Sequence, residues 1–111
     1  MTMPYESYTP PEGYSFEYLS ECASTNDEAL RRGPGSIVAA GRQSAGRGRM
    51  GRSFSSEPGG LYLSVCAALP CPAAEAPALA ALAALAACEA VGPKAQIKWP
   101  NDILLDGRKV C

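Results

Sequence analysis

Histidine is absent from the 111 residues, and its absence excludes histidine-ligated zinc and any Cys-His nucleophile pair. The five cysteines, Cys22, Cys66, Cys71, Cys88 and Cys111, are odd in number and irregularly spaced, so no disulfide framework is written into the chain. A reduced, cytoplasmic setting is the expectation, with Cys66 and Cys88 as small core hydrophobes. The first thirty positions lack bases and carry six acids, Glu6, Glu12, Glu17, Glu21, Asp27 and Glu28. The stretch from Arg31 to Arg52 lacks acids and carries six arginines. With a net charge of only -1 there is no broad positive face, which argues against a long nucleic-acid backbone as ligand. Residues 1–17 have neither the positive start nor the apolar run of a secretory signal, and read as a loosely attached tail or leading edge strand. The uncharged run from Ala76 to Cys88 is thirteen residues, too short for a bilayer, so no membrane partner is expected.

What is present is concentrated in GRQSAGRGRMGR, Gly41 to Arg52, with four arginines and four glycines in twelve residues. Guanidinium forks on a glycine-rich loop suit carboxylates and phosphates, so a small anionic ligand or transition state is the natural occupant. The bland alternative is a solvated turn.

The rest of the chain reads as a single α/β domain. CASTNDEALRRG carries helix-start signals in two registers, Ser24 with Asp27 or Thr25 with Glu28, and stops at Gly33 and Pro34. SIVAAGRQ predicts a strand running into the arginine loop. LYLSVCAAL predicts another, with Leu61, Leu63 and Val65 as its apolar face. Pro77 to Val91 predicts an alanine-rich helix roughly 22 Å long, with Leu79, Leu82 and Leu85 as the packing stripe. Gln96 to Trp99 is a short strand, Pro100 and Asn101 a turn, and Ile103–Leu105 pairs with Arg108–Cys111 across Asp106-Gly107. The chain then stops within a predicted strand, as a domain cut through its sheet would. The helix start at Ser24, Thr25 and Asn26, the arginine loop, and Lys98 in IKWPND are the elements expected to converge. Read alone, Ser24 and Thr25 are helix caps, Lys98 an exposed strand residue, and Trp99 a packing residue.

STN, GRQSAGRGRMGR, GLYLSV and KWPNDILLDGRKVC, in this order and at these separations, resemble the biotin protein ligases, also called biotin-[acetyl-CoA-carboxylase] ligases. The likeness runs from about Cys22 to Cys111. It implies an incomplete biotin/lipoate ligase fold of the class II aminoacyl-tRNA synthetase type, with a mixed sheet flanked by helices. It implies that ATP and Mg²⁺ activate biotin to biotinyl-5′-AMP, and that biotin passes to a lysine of a biotin carboxyl carrier protein. Carried onto this chain, Ser24, Thr25 and Asn26 border the ureido ring and Gln43 helps hold biotin. Gly46, Arg47 and Gly48 meet the carboxylate or acyl phosphate. Arg49 and Arg52, with Arg47, take ATP phosphates, and Met50 is a variable position. Lys98 bridges the reacting carboxylate and the α-phosphate, so Lys98 and Arg47 are the catalytic pair. Asn101 and Asp102 are nucleotide or Mg²⁺ neighbours by proximity, and no metal-ligand set of the protein's own is expected. Phe54 stands where relatives often have tryptophan.

The glycines at 46, 48 and 51 are expected to let the loop fold over the intermediate and exclude water. With no room for a preceding helix-turn-helix, no DNA partner is expected, and a homodimer is left open. A catalytic domain spanning residues 18–111 and lacking its second half is expected to be weak or inactive alone. The rival readings are a lipoate-type acid ligase, an RNA-binding module using Arg42 to Arg52, and a non-catalytic fragment.

Overall fold

The computed structural model describes residues 5–99 and 101–111 of the chain. Pro100, read as part of a turn, and the first four residues of the expected tail lie outside the described residues. The chain divides into two compact units, Met1–Ala68 and Leu69–Cys111.

The first unit is built on three strands in the order β1-β2-β3, with β1 Ser15–Leu19, β2 Ser36–Ala40 and β3 Tyr62–Cys66. β1 runs parallel to β2 with the helix α1, Thr25–Arg32, as the crossover, and β3 runs antiparallel to β2. The central strand SIVAA is buried along all five residues, with Val38 and Ala39 at 0% exposure. Strand side chains alternate between faces, so complete burial requires cover on both sides of β2. α1 starts in the first of the two predicted registers: the Ser24 Oγ accepts from the Asp27 N–H at 3.4 Å. Thr25 and Ala29, one turn apart, form its buried face. Glu28 accepts from Arg31 and from Arg32, the latter at 2.6 Å, and Arg32 reaches Glu17 of β1 at 3.1 Å. Arginine thus ties the helix end to the leading strand. The tail is anchored too, since Tyr5 and Tyr8 pack on Phe16 with ring centroids 5.7 and 4.9 Å apart.

The predicted apolar face of β3 is turned outward. Leu61, Leu63 and Val65 are 63%, 48% and 54% exposed, while Tyr62, Ser64 and Cys66 are the less exposed set. Ser64 hydrogen-bonds Thr25 of α1 at 2.8 Å, which fixes the polar face as the inner one.

The second unit has a 3-10 turn at Ala73–Glu75 leading into α2, Ala76–Val91, and an antiparallel sheet of β4 Gln96–Lys98, β5 Asp102–Leu105 and β6 Arg108–Lys109. The hairpin turn is the expected one: Asp106 and Gly107 both take positive φ, 53° and 74°. β6 is shorter than predicted, because the Ile103 carbonyl accepts from both Val110 and Cys111, a bulge that ends regular pairing. Ile103, 1% exposed, is the buried centre of this unit.

The leucine stripe does not pack as predicted. Leu82 and Leu85 are 61% and 49% exposed, and only Leu79 of the three is partly covered. Alanines 81, 84 and 87, with Cys88, share the less exposed positions, where small side chains allow close approach. Together the 3-10 turn and α2 run nineteen residues, Ala73–Val91, with a mean hydropathy of 1.5. By length and composition alone this segment is long and apolar enough to cross a membrane, whereas the thirteen-residue uncharged run within it, Ala76 to Cys88, is not.

Candidate active site

Beyond β2 the chain continues beside residues 22 and 23. The Cys22 N–H donates to Arg42 O at 3.2 Å, Ser44 N–H to Cys22 O at 2.9 Å, and Ala45 N–H to Ala23 O at 2.8 Å. This extension of the β1-β2 pairing sets the arginine segment against the start of α1. The segment then closes as a hairpin, with Phe54 N–H donating to Gly46 O at 2.7 Å and Gly48 N–H to Arg52 O at 2.6 Å. Its tip is a short 3-10 turn, Arg49–Gly51, in which Met50 itself takes φ 58° and is 89% exposed. The arginine segment is therefore a hairpin with a defined root and tip.

Gln43 is the hub of that root. Its Oε1 accepts from the Thr25 backbone N–H at 2.7 Å, and its Nε2 donates to Ser56 Oγ at 2.9 Å. The Ser56 hydroxyl donates onward to Phe54 O at 3.1 Å, and the Gln43 N–H donates to Ser56 O at 3.1 Å. Ser24, Thr25 and Ser56 are all buried, at 3%, 4% and 4% exposure. Each buried hydroxyl is hydrogen-bonded, as burial of a polar group demands. The Ser24 and Thr25 side chains thus act within the fold, and Asn26 is the exposed member of STN.

Gly46 is buried on this network. A methyl group there would lie 2.5 Å from Ser56 Oγ, 2.6 Å from Phe54 O and 3.0 Å from Gln43 Nε2. Gly48 differs, with an extended backbone at φ −92° and 3.6 Å to the nearest atoms. Of the three glycines expected to let the loop bend, Gly51 alone takes positive φ, 75°.

The hairpin's arginines are exposed. Arg47 Nη2 pairs with Asp27 Oδ1, and Arg42 Nε lies 3.9 Å from Glu21. Arg49 and Arg52 have no ion pair among the described residues. Asp27 thereby joins the helix start to the arginine loop, a role its predicted capping position did not reveal. Cys22, at the same root, has its thiol pushed up, first by burial and then by Glu28 and Glu21 against the opposing Arg32. A protonated thiol is a poor nucleophile, so Cys22 is not an activated cysteine.

In the second unit Lys98 ends β4 opposite Asp102 of β5, and its side chain is exposed. Asp102 is 3.3 Å from Lys109, Asn101 is exposed at the β4–β5 turn, and Trp99, expected to pack, is 57% exposed. The first unit thus gathers Ser24, Thr25, Gln43, Gly46 and Arg47, and the second gathers Lys98, Asn101 and Asp102. Sequence reasoning missed Ser56 and Ser64. Neither stands in a motif spacing, and Ser64 registered only as the polar alternate of a strand.

The arginine hairpin is rooted on the half-buried Gln43 carboxamide, beside the start of α1. The chain belongs to the Biotin/lipoate A/B protein ligase family, which it matches over residues 21–111. It is 44% identical to the bifunctional ligase/repressor BirA of Bacillus subtilis over 80 residues, 68% of this chain and 25% of that protein. It is also 44% identical to the biotin--[acetyl-CoA-carboxylase] ligase of Paracoccus denitrificans over 104 residues, 84% of this chain and 43% of that protein. Among solved structures, the biotin protein ligase of Leishmania major in complex with biotinyl-5-AMP superposes with a TM-score of 0.72 at 29% identity, covering 91% of this chain and 50% of that one. The Aquifex aeolicus biotin protein ligase in complex with biotin and ATP gives 0.62 at 32% identity, over 85% and 43%. The chain therefore spans from a quarter to a half of the length of these relatives.

Proposed function

We propose that this chain supplies the biotin-binding side and the arginine hairpin of a biotin-protein ligase. The observation that carries the reading is the Gln43 hub with the Arg47 hairpin on it, because it sets a neutral hydrogen-bonding group beside a cationic one. Biotin has that pairing, a cyclic urea at one end and a carboxylate at the other. The names of the Paracoccus and Aquifex relatives favour biotin over lipoate within the family.

In the first half-reaction the biotin carboxylate attacks the α-phosphorus of ATP, forming the acyl-phosphate bond and releasing pyrophosphate. In the second a lysine of a carrier domain attacks the acyl carbon, forming the amide and releasing AMP. Two anions must meet in the first step, so fixed cations lower the barrier by stabilising charge that grows in the transition state. Arg47 serves the carboxylate and acyl phosphate, and Arg49 and Arg52 the departing phosphates; the bridging role comes to Lys98 of the second unit from the family resemblance alone. Arg47 must exchange its Asp27 partner for the ligand. Asn101 and Asp102 would lend oxygen donors to an Mg²⁺ ion held mainly by the phosphates, where it would neutralise their charge.

Calorimetric titration tests the reading. Biotin should bind with lipoate far weaker, and Arg47→Ala should weaken binding of a non-hydrolysable biotinyl-adenylate by about two orders of magnitude, as removal of one charge-stabilising donor does. Equal affinity for lipoate, or an Arg47→Ala variant that binds like the parent chain, would contradict it.

A further inference from the structure

We propose that Ser56 is a positioning residue for ligand capture, acting through the Gln43 carboxamide; the ligand part of this inference rests on the biotin site described above. A glutamine side chain can sit in two orientations related by exchange of its oxygen and nitrogen, and only its partners decide between them. Here both partners agree. The Thr25 backbone N–H can only donate, so the carbonyl end of Gln43 faces it at 2.7 Å. The Ser56 hydroxyl proton is committed to Phe54 O at 3.1 Å, so its oxygen must accept, and the amino end of Gln43 faces it at 2.9 Å.

Ser56 is 4% exposed and the bare Gly46 packs directly on its hydroxyl, so water does not readily replace it. One Nε2–H and one Oε1 lone pair remain on Gln43 beyond these bonds, and these are what it presents to a ligand. Ser56 therefore sets the order of donor and acceptor that a cyclic urea or a carboxylate meets. Without it the carboxamide keeps its hold on Thr25 but loses the contact that fixes its amino end.

Two measurements on the 111-residue chain test this. In ¹⁵N-resolved spectra of the parent chain the Gln43 Nε2 proton that faces Ser56 should exchange more slowly than the one left free. In Ser56→Ala that protection should be lost. A Gln43 amide that exchanges freely in the parent chain overturns the proposal without any variant having to fold. Biotin affinity is then measured in a double-mutant cycle. Ser56→Ala should lower it roughly tenfold in the parent chain, the scale expected for a buried polar group left without its partner, and leave it unchanged in a Gln43→Ala background. A purely structural serine would cost the same in both backgrounds, and additive losses overturn the positioning role while the biotin reading survives. A parent chain that binds no biotin at all overturns both.

Discussion

Gly46 and Gly48 sit two residues apart in one motif and should respond oppositely to the same change. Gly46→Ala drives a methyl group into Ser56 Oγ and Phe54 O, and overpacking of this kind costs about 1–3 kcal/mol. Gly48→Ala meets only ordinary van der Waals contacts, at 3.6 Å, in an extended backbone and should stay within roughly 0.5 kcal/mol. Thermal melts of the two variants decide, and equal stabilities would mean that the buried approach at Gly46 is not what the motif requires. Asp27 is the second residue with a separable effect. It neutralises Arg47, the guanidinium assigned to the ligand carboxylate, and Asp27→Asn removes that competitor while leaving the Ser24 cap in place. Both side chains are more than half exposed, so stability should change by less than about 1 kcal/mol. Affinity for biotinyl-adenylate should instead rise several-fold, measured by calorimetry at low salt, and the gain should shrink as salt screens the pair.

At the scale of the element, α1 carries a pH dependence with a definite sign. Glu28 is held below the usual carboxylate range by hydrogen bonds from Arg31 first and Arg32 next. A depressed folded-state value means that the unfolded chain binds the proton more readily. The contribution is thus fully present above the unfolded value, about 4.3, and is lost as pH falls through the folded one. Acid melts should show stability declining from about pH 5 downward, and Glu28→Gln should flatten that decline. An unchanged acid limb in Glu28→Gln would assign the loss to other groups. In the second unit the contrast lies between Ile103 and Leu82. Ile103→Ala empties a buried centre and should cost about 2–5 kcal/mol, whereas Leu82→Lys, on a helix face 61% exposed, should cost little. A denaturant titration separates these two cases.

At the scale of the whole molecule, Leu63 and Val65 of β3, with Leu61 just before it, form a row of exposed apolar side chains of the kind that favours association. Leu63→Lys should leave the melting temperature nearly unchanged and reduce concentration-dependent association in sedimentation, whereas a large loss of stability would place Leu63 in the core. Local chemistry made much of this chain legible. Ser24 and Thr25 marked the start of α1 to within one register, Asp106-Gly107 marked a turn that needs positive φ, and the period-two pattern located β3. The GRGRMGR and KWPND segments carried the family likeness, because those contacts lie within short stretches of backbone. Which face of β3 or α2 turns inward was not legible, since an apolar stripe specifies a buried face only when something covers it, and Ser64 bonding Thr25 decided the matter for β3. The Gln43–Ser56 network and the Asp27–Arg47 pair were equally hidden, for they join residues thirteen and twenty positions apart. The sequence by itself determined the helices, turns and cationic segment; the folded chain alone decided which polar groups satisfy one another, because a buried hydrogen bond selects its partner by position in space.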